Sequence, residues 1–468
     1  MSSNNVRKHG HAVVIGGSMA GLVNARVLAD HFEKVTVLDR DERPHGPDPR
    51  KGVPQGQHLH VLLEAGKRVL EELFPGLTQT MRERGIPVID AGRDMAWQQF
   101  GVWKIRFESS IETIMCTRPY LEWEVFQRLK ALPNVRLRER ITVEELCTDA
   151  AKQRVTGVKL KGPDGEETLE ADLVVDTSGR GTRSPRWLEE LGYGRPEEEK
   201  VGIDLGYTSR LYKRPASFRD DWKLLVQYPR SADAWRAGLI ASVEEDRWLV
   251  SVNGYFGDHA PTDDQGFLEF TRSLARPGVY DYIKDAEPLS APVTHKIPTS
   301  RWLHYERLPR FPERLVILGD AVCSFNPIFG QGMTTASLGA KLLGAFLRER
   351  GLSTPGGLDG VSEQLRHKLP EIIRIPWFMA SVMDMYYPQT TGSRPPGLGL
   401  MHWLLGRLIE MTSVDATVYH QFLQVLHMNQ GLESFLRPGT ALPVLAYGAK
   451  SLFVPLAERA NVDRMPVA

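Results

Sequence analysis

The chain has 468 residues, which at roughly 150 residues per domain suggests about three domains or one large domain with insertions. Apolar residues make up 42% and charged residues 25%, and these proportions exclude a disordered, collagenous or coiled-coil chain. The 58 Lys and Arg residues balance the 58 Asp and Glu residues, so no net charge attracts nucleic acid or anionic lipid. We therefore expect no nucleic-acid partner.

The cysteines and the apolar stretches predict a cytoplasmic protein without a transmembrane segment. The 3 cysteines form no CxxC pair, so neither a disulfide framework nor a thiolate metal site is expected. The polar residues 1–10 are followed by an apolar run of only Ala12–Ile15, which is too short for a signal peptide. The longest uncharged apolar stretch, Gly397–Gly406, is about half of the roughly 20 residues that a bilayer crossing needs. It predicts a buried helix or an interfacial one.

The chain opens with the pattern of a strand, a glycine-rich turn, a helix and a second strand. Ala12–Ile15 is a continuous apolar run, Gly16–Gly21 interrupts it, and Val35–Leu38 is rich in β-forming residues. Apolar side chains then recur with helical spacing from Leu59 to Leu73, which predicts a further helix. The opening is typical of a βαβ unit with parallel strands.

The next segments predict another helix and then several short strands. A helix should begin at Arg118, because Pro119 is well tolerated in the first helical turn. Short β-rich runs at 155–160, 168–169 and 173–175 are separated by turn residues. They predict a β-meander inserted into the parallel sheet.

The pattern changes at Val201, where apolar residues begin to alternate with a period of two. Two further runs, 239–243 and 248–252, flank a polar turn, which predicts a separate antiparallel sheet half buried on one face. Leu315–Leu318 is again a buried apolar strand, and a helix follows it over 333–347. The rest of the chain is expected to be mostly helical.

The glycine-rich turn Gly16-Gly17-Ser18-Met19-Ala20-Gly21 lies where backbone N–H groups at a helix start can hold a pyrophosphate. Asp39 ends the second strand about 20 residues further on, in a position to accept hydrogen bonds from a ribose diol. An acid there disfavours a 2′-phosphate and points to the adenosine diphosphate moiety of FAD or NAD. A glycine turn that serves only strand–helix packing is the alternative.

A second set of residues lies late in the chain. The strand Leu315–Leu318 leads through Gly319 to Asp320, and Asn326–Gly332 precedes a helix. An Asp at a strand end can bind sugar-like hydroxyls, while N–H groups at a helix start can stabilise negative charge on a heterocycle such as reduced flavin. Combined with the N-terminal turn, this pattern favours FAD over NAD.

Four stretches follow one another in the order found in a known family: GGSMAG with Asp39, RPYLEWEVFQRL, VVDTSGRGTRS and LVILGDAVCSFNPIFGQGM. Over residues 12 to about 347 the sequence resembles the flavoprotein monooxygenases of the para-hydroxybenzoate hydroxylase fold. Within them it is more similar to bacterial secondary-metabolism oxygenases, including polyether epoxidases, than to simple phenol hydroxylases. The resemblance implies an α/β protein with a Rossmann-like FAD-binding domain, an inserted β-meander, a second antiparallel-sheet substrate domain and a helical C-terminal region.

The same resemblance implies roles for individual residues. Asp320 would hold the ribityl or pyrophosphate region of FAD, Arg118 would lie near the cofactor, and Pro327–Gly332 would run along the flavin ring. No side chain is singled out as an acid or base, and the ring environment is assigned to Pro327, Gly330, Gln331 and His60. No metal site is predicted. The predicted cofactor-binding residues are Gly16, Gly17, Ser18, Ala20, Gly21, Asp39, Arg40, Arg118, Gly179, Asp320, Gly330, Gly332 and Met333.

One departure from the family concerns the electron donor. The middle motif normally presents Asp-Gly before its arginine, an element associated in the family with FAD and NAD(P)H binding, whereas this chain has Ser178-Gly179. FAD would therefore be reduced either by NAD(P)H directly or through a separate reductase. Arg180, Arg183 and Arg186 follow the motif and are either phosphate ligands or solvated loop charges.

Two further groups of residues have open roles. His58 and His60 stand two apart, so on a helix they would face different directions and could not share a metal. One of them is a candidate for a cofactor or substrate contact. Several aromatic residues are candidates to line an apolar substrate cavity, with plain core packing as the alternative: Trp97, Phe100, Trp103, Phe107, Tyr207, Tyr255 and Phe256.

The pattern and the resemblance together divide the chain into discontinuous units. We assign residues 1–85, 115–198 and 299–350 to the FAD-binding domain, 86–114 and 199–298 to the substrate domain, and 351–468 to the C-terminal helical region.

The implied activity is insertion of one oxygen atom of O2, through a flavin C4a-hydroperoxide, into an apolar small molecule. Alkene epoxidation and aromatic hydroxylation are both open. The alternatives are a flavin-dependent reductase or dehydrogenase of a prenyl-type double bond, a flavin-dependent halogenase and a non-catalytic nucleotide-binding protein. The GWxWxIP segment of halogenases is absent from the sequence.

Overall fold

The computed structural model describes residues 9–229, 231–349, 357–462 and 464–467. Residues 1–8, which carry most of the polar N-terminus used in the signal-peptide prediction, lie outside this part of the chain. Within the described ranges no helix is long and apolar enough to cross a membrane.

Strands and helices alternate through the first half of the chain, and helices dominate its end. The strands are β1 (His9–Ile15), β2 (Phe32–Leu38), β3 (Val88–Asp90), β4 (Met95–Gln99), β5 (Val102–Trp103), β6 (Glu112–Ile114), β7 (Val135–Arg138), β8 (Thr142–Thr148), β9 (Val155–Gly162), β10 (Gly165–Glu170), β11 (Leu173–Asp176), β12 (Glu197–Lys213), β13 (Leu224–Gln227), β14 (Arg236–Val243), β15 (Arg247–Gly254), β16 (Val293–His304), β17 (Leu315–Ile317) and β18 (Cys323–Ser324). The α-helices are α1 (Met19–Ala29), α2 (Glu64–Leu73), α3 (Leu77–Glu83), α4 (Arg118–Lys130), α5 (Ser184–Glu190), α6 (Asp264–Arg272), α7 (Gly278–Ile283), α8 (Gly332–Glu349), α9 (Val361–Asp384), α10 (Leu398–Met411), α11 (Ala416–Leu426), α12 (Pro438–Lys450) and α13 (Leu456–Arg459).

A parallel sheet with the strand order β17–β11–β1–β2–β7 forms the first layer. The stretches Ala12–Ile15 of β1, Leu173–Val175 of β11 and Leu315–Ile317 of β17 are apolar and buried, because α1 packs on β1, β9 on β11 and α9 on β17. The predicted βαβ opening and an inserted β-meander are confirmed. The meander consists of β8, β9 and β10, however, and the run 173–175 that was expected in it belongs to β11 of the parallel sheet. Because the loops that follow β1, β2 and β17 leave the carboxyl ends of parallel strands, they lie along one edge of this sheet.

A larger sheet has the strand order β18–β16–β12–β15–β14–β13–β4–β5. Most neighbours are antiparallel, as expected, but β4 and β13 are parallel. The prediction of a wholly antiparallel sheet is wrong at this pair. The chain passes through the first layer between β5 and β13. A hairpin would force neighbouring strands to be antiparallel, but so long a connection leaves the relative direction of β4 and β13 free.

The larger sheet is buried on both faces, which corrects the prediction of a sheet half buried on one face. Trp97 and Val226 belong to an apolar core shared with α10, α11 and α12. On the opposite face, Ile240 and Trp248 pack with Phe267 of α6. The alternation seen in the sequence therefore separates two cores rather than a core from solvent.

The helix expected from Leu59 to Leu73 begins only at Glu64. Leu63 has an extended backbone with φ −62° and ψ 156°, and the segment before it is not helical. Leu62 and Leu63 are nevertheless buried. Apolar spacing predicted the helix too early because an extended buried segment happened to continue the helical pattern.

The apolar stretch at 397–406 forms the first part of α10, but it is not a buried helix. Leu400 is 64% exposed, and full burial begins only at Leu408.

The divisions between domains stay a prediction. The strand β16 continues past the division placed at residue 298, and β18, from the third FAD-binding segment, pairs with it.

Candidate functional site

The turn after β1 needs glycine at two positions. Gly16 has φ +96°, and a Cβ on it would lie 2.7 Å from the Thr177 carbonyl oxygen. A Cβ on Gly21 would collide with the carbonyl oxygen of Gly16. Helix α1 follows without a side-chain cap, since Ser18 uses its hydroxyl elsewhere. The first N–H groups of α1 are therefore open toward a ligand.

Asp39 lies beside this turn and is buried. Its carboxylate packs so closely against Gly17 that a Cβ there would lie 2.6 Å from Asp39 Oδ2. The same oxygen pairs with Arg50 at 2.8 Å, so a ribose diol at Asp39 would share or replace this ion pair. Arg40 is exposed at the end of β2 and has no described contact with the other predicted cofactor residues.

Arg118 connects the N-terminal turn to the late loop. Its Nη2 donates to Ser18 Oγ at 2.8 Å and to Glu122 Oε2 at 2.9 Å. Its Nη1 lies 3.4 Å from the sulfur of Met333, in the first turn of α8. The structure therefore brings together Ser18, Arg118 and Met333, which the sequence separates by more than 300 residues.

Glu122 is a residue of this site that sequence reasoning missed. Burial disfavours its charge, but Arg118, Arg50 and Arg43 outweigh burial and lower the pKa of its carboxyl. Ser18 also donates to it at 3.0 Å. The spacing of four between Arg118 and Glu122 on one helix was the signal that could have revealed it.

Asp320 follows β17 and lies next to the start of α8, where a Cβ on Gly332 would be 3.7 Å from its Oδ1. Burial raises the pKa of the Asp320 carboxyl, while the guanidinium groups of Arg180, Arg118 and Arg301 oppose the rise. Gly319 has φ +65° and packs against Ala20 of α1. Asp320 thus lies between the two motifs, close enough to Arg180, Arg118 and Arg301 to feel their charges.

The loop 326–332 is held in shape by its own residues. Asn326 Oδ1 accepts the Ile328 N–H at 3.1 Å, and Pro327 begins a short 3-10 turn. Gly330 has φ +67° and packs against the backbone of Val61. Gln331 is buried, and its Oε1 has no hydrogen-bond partner among the described residues. The loop therefore leaves a buried acceptor open toward a ligand.

His58 and His60 lie in the extended segment opposite this loop. His58 is fully buried, its Nδ1 is 2.8 Å from Ser209 Oγ, and its ring packs on Tyr207. Burial lowers the pKa of His58 to about 3 and that of His60 to about 4, so both rings are neutral at neutral pH. Arg118 adds to the lowering at His60, which places that ring near the cofactor residues.

The Ser178-Gly179 turn is organised by Asp176. Its Oδ1 accepts hydrogen bonds from the backbone and the hydroxyl of Ser178 at 2.9 and 2.6 Å, and its Oδ2 accepts from Ser184 at 2.5 Å. Gly179 has φ +79°. Of the arginines that follow, Arg180 turns inward and donates to Ser324 Oγ at 2.8 Å. Arg183 donates to the Val143 carbonyl and Arg186 pairs with Glu190, so neither faces Asp320.

A cavity of about 590 Å³ lies between the larger sheet and the C-terminal helices. Residues 328–331 of the loop and Val61 form one part of its wall. Of the seven aromatic residues expected to line a substrate cavity, Trp97, Phe100 and Tyr255 do so. The others pack elsewhere: Trp103, Phe107, Tyr207 and Phe256.

A buried carboxyl from the C-terminal region reaches both the cavity wall and the loop. Asp384, the last residue of α9, accepts hydrogen bonds from Asn326 Nδ2 at 2.7 Å and from the Tyr255 hydroxyl at 3.1 Å. Burial raises the pKa of Asp384 to about 7, against the effect of these two hydrogen bonds. No sequence motif marked this residue, because its partners come from distant elements.

Named proteins of several bacteria are similar to this chain in sequence. No protein-family model matches the chain. It is 34% identical over 397 residues to Protein Rv3254 of Mycobacterium tuberculosis, with 82% of each chain covered. It is 25% identical over 359 residues to kynurenine 3-monooxygenase of Salinispora arenicola, with 70% of each covered.

Solved structures of flavin enzymes share the fold. PqsL of Pseudomonas aeruginosa, a probable FAD-dependent monooxygenase, superposes with a TM-score of 0.59 at 18% identity over 80% of this chain and 97% of PqsL. The flavin-dependent brominase Bmp2 gives a TM-score of 0.64 at 14% identity over 94% of this chain and 100% of Bmp2. The chain belongs to the FAD-dependent monooxygenases of the para-hydroxybenzoate hydroxylase fold. The non-catalytic alternative is thereby set aside.

The residues of this monooxygenase fit FAD. The uncapped start of α1 fits a pyrophosphate, and the buried Asp39 at a strand end fits a ribose. Asp320, with three guanidinium groups nearby, fits the ribityl chain. Gln331 Oε1, which has no partner among the described residues, fits a donor on the ring. Bound FAD supplies the oxygen-transfer chemistry, and the chain supplies its position.

We expect Asp320→Ala to weaken FAD binding by about 1.5–3 kcal/mol, because a charge-bearing hydrogen bond to the cofactor is lost. The affinity would be measured by titrating apoprotein with FAD and following flavin fluorescence. Asp164→Ala, in an exposed turn, is the matched control and should bind FAD like the wild type. An unchanged affinity in folded Asp320→Ala would contradict the assignment.

Asp384→Asn should change how stability depends on pH. The pKa of about 7 lies above the ordinary value of 3.8, so ionising Asp384 opposes folding increasingly as the pH rises between these values. Asn keeps the acceptor and removes the charge. From about pH 5.5 to about pH 8, the free energy of unfolding of the variant should rise by about 1–2 kcal/mol relative to the wild type. A difference that stays constant with pH in chemical denaturation would show that Asp384 does not titrate there.

Proposed function

We propose that this monooxygenase oxygenates a bulky, mainly apolar small molecule held in the cavity between the larger sheet and α9–α12. The cavity volume of about 590 Å³, with the loop 328–331 in its wall, is the observation that carries the proposal. Leu224 and Leu239 cover it from the sheet, and Leu404 and Leu408 cover it from α10. Such walls stabilise an apolar substrate and keep bulk water from the reacting end.

The described part of the cavity wall contains no Lys, Arg, Asp or Glu side chain. Burial lowers the pKa of His427, which does line it, to about 4, so this ring is neutral. Lys104 lies behind Trp97, and burial lowers the pKa of its amine well below the ordinary value. Arg230, between the lining residues Pro229 and Ser231, lies outside the described residues. An uncharged substrate is what these surroundings favour.

The reaction places one oxygen atom of dioxygen on the substrate and releases the other as water, at the expense of two electrons. The chain contributes orientation: the loop 326–332 fixes the ring end of the site, and the sheet presents the substrate across from it. We propose hydroxylation of an electron-rich ring, in line with the relatives named as kynurenine 3-monooxygenases. Epoxidation of an alkene is the second candidate, since the apolar wall imposes no acid or base on the substrate.

A series of 4-alkylphenols tests the cavity. Each added methylene should tighten binding about three- to fourfold until the cavity is filled, because it buries further apolar surface. Binding would be followed through the perturbation of flavin absorption in the holoenzyme.

The variant Leu408→Trp fills the cavity from α10. It should abolish the increase in affinity with alkyl chain length while FAD stays bound. An affinity independent of chain length would overturn the assignment of the cavity. Mass spectrometry after turnover under labelled dioxygen would separate a hydroxylated product from an epoxide. A saturated alkene formed without oxygen would show a reductase instead.

The source of electrons is part of the proposal. NAD(P)H is the usual reductant in this family, and Ser178 stands where the family has an acid, which supports delivery through a separate flavin reductase. We expect NADH or NADPH alone to bleach the flavin absorption slowly under anaerobic conditions, and an added reductase to bleach it quickly. Ser178→Asp should speed direct bleaching. Rapid bleaching of the wild type by NADPH alone would establish direct reduction.

A further inference from the structure

Four residues that line the substrate cavity each carry a buried polar side-chain atom without a hydrogen-bond partner among the described residues. These atoms are Trp97 Nε1, Gln99 Oε1, Asn253 Nδ2 and Gln331 Oε1. Each of the four residues is at most 6% exposed. An unpaired buried polar group costs roughly 1–3 kcal/mol, so four of them in one cavity point to partners that arrive with a ligand.

The sheet places three of these atoms at two separate points, and the fourth, Gln331 Oε1, lies on the loop next to α8 that is predicted to run along the flavin ring. Trp97 and Gln99 stand two residues apart on β4, so both side chains project from the same face. Asn253 lies on β15, and the strands β13 and β14 run between β4 and β15. Three strand spacings of about 4.8 Å put the two backbones about 14 Å apart. One small polar group cannot reach both.

The wall between the two points is apolar. Val226 on β13 pairs with Trp97, and Leu239 and Ala237 lie on β14 next to Asn253. All three side chains line the cavity. Both points lie near the loop 326–332, because Tyr228, whose N–H donates to β4, donates through its hydroxyl to the Ile328 carbonyl, and Tyr255, two residues beyond Asn253, accepts from Asn326.

We infer that the substrate carries two hydrogen-bonding groups on opposite sides of an apolar body, one bound by Asn253 and the other by Gln99 and Trp97. The inference rests on the proposed function of this cavity. Gln99 accepts and Trp97 donates at one end, so a hydroxyl group satisfies both. Asn253 donates to an oxygen at the other end.

Binding of three rigid probes to the holoenzyme tests this: trans-stilbene, 4-hydroxystilbene and 4,4′-dihydroxystilbene. Each hydroxyl should tighten binding about 5- to 15-fold, because it satisfies a buried group that is otherwise unpaired. Asn253→Leu should remove one of the two increments and Gln99→Met the other. The double variant should bind all three probes equally, since sites this far apart act independently.

Gln98→Met is the matched control, since Gln98 is buried on the same strand but does not line the cavity. It should keep both increments. Equal binding of the three probes by the wild type would overturn the inference without any variant. So would survival of both increments in Asn253→Leu or in Gln99→Met. If trans-stilbene itself does not bind, the apolar cavity of the proposed function fails instead. Retained FAD and an unchanged circular dichroism spectrum show that a variant is folded.

Discussion

The site depends on one buried ion pair between neighbours on a helix, Arg118 and Glu122. Arg118 donates to Ser18 at the start of α1 and contacts Met333 at the start of α8, so it fixes two helix starts against each other. Glu122 balances its charge and also binds Arg50, which in turn pairs with Asp39. A buried arginine is tolerable only with such compensation. The two halves of the predicted FAD site are therefore held by charges that the first and last motifs do not contain.

The parts of the fold that local pattern determines were predictable. The apolar run Ala12–Ile15 with its glycine turn gave the βαβ unit, and Leu315–Leu318 gave the strand that leads to Asp320. Pattern failed where an extended segment imitated a helix at 59–63 and where direction depended on a distant partner, as for β4 and β13. Periodicity reports which side chains are buried, and it does not report which layer covers them.

The candidate FAD residues were predicted from motifs, whereas the candidate residues on the substrate side were not. Gln99, Asn253 and Asp384 carry no motif, and their roles arise only when sheet, loop and C-terminal helix meet. Of the aromatics expected in the cavity, Trp97 lines it while Trp103 belongs to the opposite core, because the short turn between β4 and β5 reverses which face each presents. Composition identifies candidates for a pocket, and strand register decides among them.

The cavity has one wall from the larger sheet and another from α10–α12, and these two parts come from different regions of the chain. The residues that we assign to the adenosine and pyrophosphate lie instead on the loops that follow β1 and β2. Natural variation in residues 398–450 could therefore change the shape of the cavity for new substrates without disturbing the residues assigned to the cofactor. A single scaffold of this kind is open to divergence in the compounds it accepts without loss of its oxidative power.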